Sequence, residues 1–343
     1  MISRIFVRTI KILAFGILLV VGYTGKVAGQ EGQETLFDLI YAQEDIEAQL
    51  YLDLDSLLVH KMEDRSLLAQ IIFISKGDTI FQSPVRITPR GEFRRRECYF
   101  PPLLLDFPKS HLRGLQLDSA DHYKLVSHCN DALDSNQIVY KEHLTYQLYH
   151  TITKKSYRTK WFQINYIDRR GGQTIQSNAF VLESNEEFRR HFRGSWLGDE
   201  KVDIDALDAF QVEVAALFQY MIGNRDMHLM GQHNVKILKV PKPRKPLPIP
   251  YDFDFSLFVK PTYAYPGLVN RHNVRRIYLG YQRNQRIMPR VFSRFLGVRA
   301  ELLARISEDE ILQQNEREKL HQYLISFYDD LKSNEYHMSY RLN

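Results

Sequence analysis

The sequence predicts an α+β chain, rich in strands through its first half and mostly helical through its second. Three observations carry this. Between residues 49 and 127, apolar residues alternate with polar ones or gather in short β-branched and aromatic runs. From Asp205 onward, apolar residues recur at spacings of three and four. Turn-forming residues separate paired segments at Lys76-Gly77-Asp78 and at Arg169-Arg170-Gly171-Gly172. The 343 residues are 44% hydrophobic and 25% charged, within the ordinary globular range, which excludes a disordered, collagenous or polytopic membrane chain.

The elements follow in order. Gln49 to Asp55 alternates Leu50, Leu52 and Leu54 with polar residues, as a half-buried strand does. Leu67 to Ser75 and Thr79 to Thr88 form a hairpin, followed by strand-like runs at Leu103 to Phe107 and His122 to Ser127. The spacing of Val139, Leu144, Leu148 and Ile152 predicts a helix over 136–152, with Tyr140 beside the stripe. Thr159 to Asp168 and Thr174 to Glu183 make a second hairpin. A helix from Asp205 is capped by Gly223, Val235 to Val240 reads as a strand, Pro241 to Pro250 as a connector and Tyr251 to Val259 as the partner strand. Ser307-Glu308-Asp309-Glu310 has the pattern of a capping box ahead of a helix carrying Leu320, Tyr323, Leu324, Phe327 and Leu331 on one face. The organisation expected is 1–29, a signal peptide; 30–184, a β-rich region with one helix; and 185–343, with a polar loop at 223–234, a hairpin at 234–259 and a helical C-terminus.

The signal peptide is expected because Arg4, Arg8 and Lys11 precede the apolar run Ile12 to Val21, and Val27-Ala28-Gly29 offers small residues for cleavage. Ten apolar residues fall short of the ~18 to 20 that cross a bilayer, although an uncleaved tether is the alternative. Arg4, Arg8, Lys11 and Lys26 account for four of the five net positive charges, so the remainder carries 5 − 4 = +1. A near-neutral chain argues against non-specific nucleic-acid binding, which depends on Lys and Arg displacing counterions. The expected location is therefore the periplasm or cell surface, with an exported protein or cell-envelope substrate as partner, no nucleic acid and no transmembrane span in the mature chain. In an oxidising compartment Cys98 and Cys129 are free to pair, the alternative being two buried thiols.

The chemistry-bearing segment is Gly223-Asn224-Arg225-Asp226-Met227-His228, followed by His233-Asn234 and then Tyr251-Asp252-Phe253-Asp254. On a strand, Asp252 and Asp254 would share a face, and two like charges so placed call for a cation such as Mg²⁺. Phosphoryl transfer needs such a set: one carboxylate to orient or deprotonate a hydroxyl, another with an Asn to hold Mg²⁺ against nucleotide phosphates. The alternative is that Asp226 caps a turn and Asp252 and Asp254 are solvated.

Taken in order, Arg90-Gly91-Glu92-Phe93-Arg94-Arg95, Tyr123-Lys124-Leu125-Val126, Tyr140-Lys141-Glu142, Asn224-Arg225-Asp226 with Asn234, and Asp252-Phe253-Asp254 resemble the spore-coat CotH kinase-like family, across about Ile46 to Gly280. The resemblance implies a bilobal protein-kinase-like fold, with a β-rich N-terminal lobe and a mostly helical C-terminal lobe binding ATP between them. By position, Lys124 resembles the phosphate-contacting lysine, Glu142 the helix glutamate that pairs with it, Asp226 the catalytic aspartate, and Asn234 and Asp252 the metal ligands. Eight residues separate Asp226 from Asn234, against five in the kinase HRDxxxxN pattern, and no G-x-G-x-x-G occurs. This Arg-rich segment, read as a strand with Arg90, Arg94, Arg95 and Arg96 beside Gly91, would suit a polyanionic ligand in its place, or else form a solvated basic edge that deters strand pairing.

The activity expected is Mg²⁺-dependent transfer of phosphate from ATP to a hydroxyl substrate. The alternatives are a non-catalytic pseudokinase-like binding or surface-assembly protein, and a metal-dependent hydrolase using His228, His233, Asp226 and Asp252.

Overall fold

In a computed structural model, residues 33–130, 133–198, 200–242, 244–261, 276–280 and 286–333 are described, and the side chains of 133–135 are not. The expected signal peptide lies outside the described residues.

The chain enters through a short helix, α1 (Leu36–Tyr41), then β1 (Glu47–Leu52) and α2 (Leu54–Val59), which Asp53 caps by accepting from the Ser56 N–H at 2.8 Å. The hairpin β2 (Leu67–Ser75) and β3 (Asp78–Pro89) follows, then α3 (Glu92–Glu97), β4 (Leu103–Asp106), α4 (Lys109–Gly114) and β5 (His122–Ser127). A long helix, α5 (Leu133–Ile152), precedes the second hairpin, β6 (Thr159–Asp168) and β7 (Thr174–Leu182). These seven strands close into a barrel in the order β1-β2-β3-β4-β5-β7-β6. The seam is parallel, with Glu47 opposite Gln163 and Leu52 opposite Asp168; every other pair is antiparallel. Alternation fills the barrel from one face of each strand: Ile71 and Phe73 from β2, Val85 and Ile87 from β3, Phe162 and Ile164 from β6 are all buried. Phe73 meets Phe162 edge to face with ring centres 5.6 Å apart.

Beyond the barrel come α6 (Asn185–His191), β8 (Ser195–Trp196), α7 (Ala209–Ile222), β9 (Val235–Lys239), β10 (Leu247–Pro250), α8 (Met288–Gly297), α9 (Arg299–Ser307) and α10 (Gln314–Ser333). β10, β9 and β8 form a small separate sheet. A second hydrophobic core joins the barrel's outer wall to these helices: Val126, Leu144, Phe180, Phe218, Phe253 and Phe327 all belong to it. The described residues from Gln33 to Ser333 form one compact unit. Cys98, the C-cap of α3, is bonded to Cys129 just beyond β5. Among the described residues, no helix is long and apolar enough to cross a membrane.

Several expectations are corrected. The bilobal protein-kinase-like fold, with its mostly helical C-terminal lobe, is not what forms. The architecture is a closed seven-stranded mixed barrel with helices against it, because β1 pairs with β6 and leaves no open edge there. The Arg-rich segment after Arg90 is a helix, not a strand, since Gly91 at φ 73 turns the backbone out of β3. Residues 251–259 are turns; the partner strand of β9 lies earlier, at Leu247–Pro250. Ser307 closes α9 instead of opening a helix, and Asp309 accepts from the N–H groups of Ile311 and Leu312 ahead of α10.

Candidate functional site

A cleft of about 380 Å³ opens where β4, β5 and the end of β7 face β8 and the start of the 251–259 turns. Leu104 and Leu182 supply aliphatic walls; Tyr157, Trp196 and Tyr251 supply aromatic ones. The rings are fixed from behind. The Tyr157 hydroxyl donates to Asn185 Oδ1 at 2.7 Å, and the Trp196 indole N–H donates to the Asn185 carbonyl at 3.0 Å. α6 holds Asn185 in place through a reciprocal capping box between Ser184 and Glu187. Such a slot suits a planar, partly polar ligand.

Lys124, half-buried on β5, forms part of the inner wall. Its Nζ lies 4.4 Å from the centre of the Tyr251 ring. Burial, aided by Arg90 and Lys236, pushes its ammonium down to about 7, against the opposing pull of Asp252 and Glu142. The resemblance implies that Glu142 pairs with Lys124. Instead its nearest cation is Arg94, with Nη1 3.5 Å from Oε2, and Arg94 also donates to the Ser127 carbonyl at 3.2 Å. Glu142 is 2% exposed, and burial next to Asp254 and Asp252 holds its carboxyl well above the usual range despite Arg94 and Arg90.

The arginines therefore divide. Arg94 is buried inside, Arg95 is tied to Asp64 at 2.6 Å, and Arg96 points out to Glu97. Of the four, Arg90 and Arg94 act on the carboxylates near Lys124.

Asp252 is held by its backbone. Its N–H donates to the Tyr146 hydroxyl at 2.8 Å, and its φ of 63 lies in the left-handed region that Asp tolerates better than most residues. Phe253 anchors the segment in the core against Tyr146 and Phe218, at 4.7 and 5.3 Å. Asp254 is 3% exposed. The two aspartates thus flank a buried Phe in a turn and do not share a strand face.

Asp226 stands on the loop after α7. Asn234 donates from Nδ2 to its Oδ2 at 2.8 Å and to its carbonyl at 2.9 Å, while His233 Nε2 lies 3.1 Å from Oδ1. Asn234 in turn accepts at its own carbonyl from the Tyr251 N–H at 3.0 Å. One residue thereby joins the loop that carries Asp226 to the segment that carries Asp252. No family model matches this chain, and no curated protein matches it.

The structure brings Arg90, Asp252 and Glu142 within electrostatic reach of Lys124, and Arg90, Arg94, Asp252 and Asp254 within reach of Glu142. Asp226 and Asn234 adjoin this group through Tyr251. The set expected for a hydrolase does not assemble: among the described residues, the one group of three His, Cys, Asp or Glu with ligand atoms within 4.8 Å is Asp106, Asp121 and His122 at the cleft rim. Its members already partner each other, with His122 Nδ1 2.7 Å from Asp121 Oδ1, and Lys109 sits 3.5 Å from Asp121. Asp252 and Asp254 offer carboxylates of the kind Mg²⁺ takes, one or two from the protein with water and phosphate completing its shell.

Sequence reasoning missed Tyr146 and Tyr251, since aromatic residues in apolar stretches read as core. A signal existed for Tyr146: it lies four residues after Glu142, on the same face of α5.

Proposed function

We propose that this chain binds a nucleoside triphosphate with Mg²⁺ in the aromatic-walled cleft and transfers its terminal phosphoryl group to a hydroxyl on an exported protein or envelope molecule. One observation carries the reading: Lys124 lies on the wall of a cleft lined by Tyr157, Trp196 and Tyr251, close enough to Arg90 and Asp252 for both to act on its charge. The base would lie against the aromatic wall, with the phosphates toward Lys124 and Arg90. Asp252, with Asp254 nearby, would hold Mg²⁺, which supplies charge neutralisation at the phosphates. Asp226, oriented by Asn234, would take the acceptor's proton as its oxygen bonds to phosphorus and the bond to the leaving diphosphate breaks. The Cys98–Cys129 disulfide supports an exported setting. The order of Lys124, Glu142, Asp226, Asn234 and Asp252, which resembles the CotH kinase-like family, supports the chemistry at the level of residues.

One observation favours a second reading, nucleotide binding without turnover: Arg94 takes the glutamate that the resemblance assigns to Lys124. Calorimetric titration with MgATP, followed by phosphate incorporation into envelope extracts, separates them. Binding with incorporation lost in Asp226→Ala supports transfer. Binding without incorporation supports the second reading, and no binding with Mg²⁺ or Mn²⁺ removes both.

A further inference from the structure

The arrangement around Lys124 leaves a question of positioning. A lysine on a cleft wall must be held if its charge is to meet a ligand, and Glu142 is engaged with Arg94. Arg90 and Lys236 repel it, whereas Asp252 attracts it. The group in direct contact with its Nζ is the face of Tyr251, 4.4 Å away. That ring is itself fixed: the Tyr251 N–H donates to the Asn234 carbonyl at 3.0 Å, and the ring meets Tyr157 edge to face at 89°, with centres 6.4 Å apart. The face of a phenol ring is electron-rich and attracts a cation set over it.

We propose that Tyr251 is the positioning residue of Lys124, its ring face holding the ammonium on the cleft wall in the role a carboxylate would otherwise fill. The proposal rests on the reading of the cleft as a triphosphate site. It makes Tyr251 more than a wall, because phosphates should depend on it more than the nucleoside does. It also couples phosphate contact to the Asp226 loop, since Asn234 fixes both Tyr251 and Asp226.

The test uses the full chain with Tyr251→Phe, which keeps the aromatic face, and Tyr251→Leu, which removes it. Lysines carrying ¹³C-methyl groups are followed by NMR, and the Lys124 signal is assigned by its loss in Lys124→Met. A ring-current-shifted Lys124 signal is expected in wild type and Tyr251→Phe and should vanish in Tyr251→Leu. MgATP affinity should change less than about two-fold in Tyr251→Phe and fall about ten-fold in Tyr251→Leu, with a clearly smaller loss for adenosine, which keeps Tyr157 and Trp196 as walls. Equal MgATP binding by wild type and Tyr251→Leu, or equal losses of adenosine and MgATP, overturns the proposal while leaving the triphosphate reading standing. If wild type binds no MgATP, the triphosphate reading itself fails and the positioning role fails with it.

Discussion

Arg94 reaches across from α3 to place its guanidinium 3.5 Å from the carboxylate of Glu142 on α5, with both side chains almost wholly out of solvent. Removing one partner of such a pair strands the other charge in a poor solvent. Arg94→Leu should therefore destabilise the protein by about 3 kcal/mol. Glu142 already resists ionisation, so the loss should be larger at pH 8 than at pH 5, where protonation removes the stranded charge. Melting temperatures of wild type and variant at the two pH values check this, and a pH-independent difference would contradict it.

Lys124 gives a prediction of opposite slope. Its ammonium titrates near 7 in the fold and near the ordinary 10.5 when unfolded, so between these values the unfolded chain binds the extra proton and stability rises with pH. Below 7 the buried charge is a cost. Lys124→Met should raise stability at pH 7 by about 1 to 3 kcal/mol, and the gain should vanish toward pH 10. The same variant should lose MgATP binding, and wild-type binding should take up protons between pH 7 and 9 as phosphate restores the ammonium. Denaturant unfolding over that range and calorimetry in buffers of different ionisation enthalpy measure both effects.

The bond between Cys98 and Cys129 closes a loop across 31 positions. Chain-entropy arguments give about 3.5 kcal/mol for a loop of that size. Cys98→Ser with Cys129→Ser should lower the urea midpoint accordingly. Because the bond ends α3, the double variant should also weaken the hold of Arg94 on Glu142, read as a steeper loss of stability at high pH.

Gly223 ends α7 at φ 66, and a Cβ there would come within 2.5 Å of the Tyr323 hydroxyl and 2.8 Å of Leu257. Gly223→Ala should cost about 1 to 3 kcal/mol, from backbone strain and displacement of the segment that carries Asp252. Unfolding measurements check the energy, and weaker Mg²⁺-dependent ATP binding would report the displacement.

Asn234 and Asp252 should separate kinetically. Asn234→Ala leaves Asp226 without the donor 2.8 Å from its Oδ2, so phosphate incorporation should fall at least ten-fold with MgATP affinity little changed. Asp252→Ala should abolish the Mg²⁺ dependence of ATP binding. Identical losses of affinity in both variants would argue against the division of roles.

Local chemistry made much of the chain legible. The β2–β3 hairpin, the α5 stripe and the Gly223 cap follow from alternation, helical spacing and a left-handed glycine. The barrel seam was not legible, because β1 and β6 have no local signal that names the other as partner. β10 was read as a connector because Pro248 and Pro250 argue against a strand, yet it is an edge strand, where a missing N–H is tolerated. At the candidate site, the acidic residues were legible by type. That Arg94 takes Glu142, and that Asp252 is held by a tyrosine, depends on α3 and α5 meeting in space.

The parallel seam has a consequence for the order of assembly. β1 leaves the ribosome well ahead of its neighbour β6, which follows only after α5. Until then β1 has one edge unsatisfied, a template for any other extended chain nearby. Closure also requires distant contacts, which form slowly. Glu142 and Tyr146 ride on the helix that must emerge between those two strands. The candidate site should therefore be among the last parts to form, and protection from aggregation should matter most while the barrel waits for its closing strand.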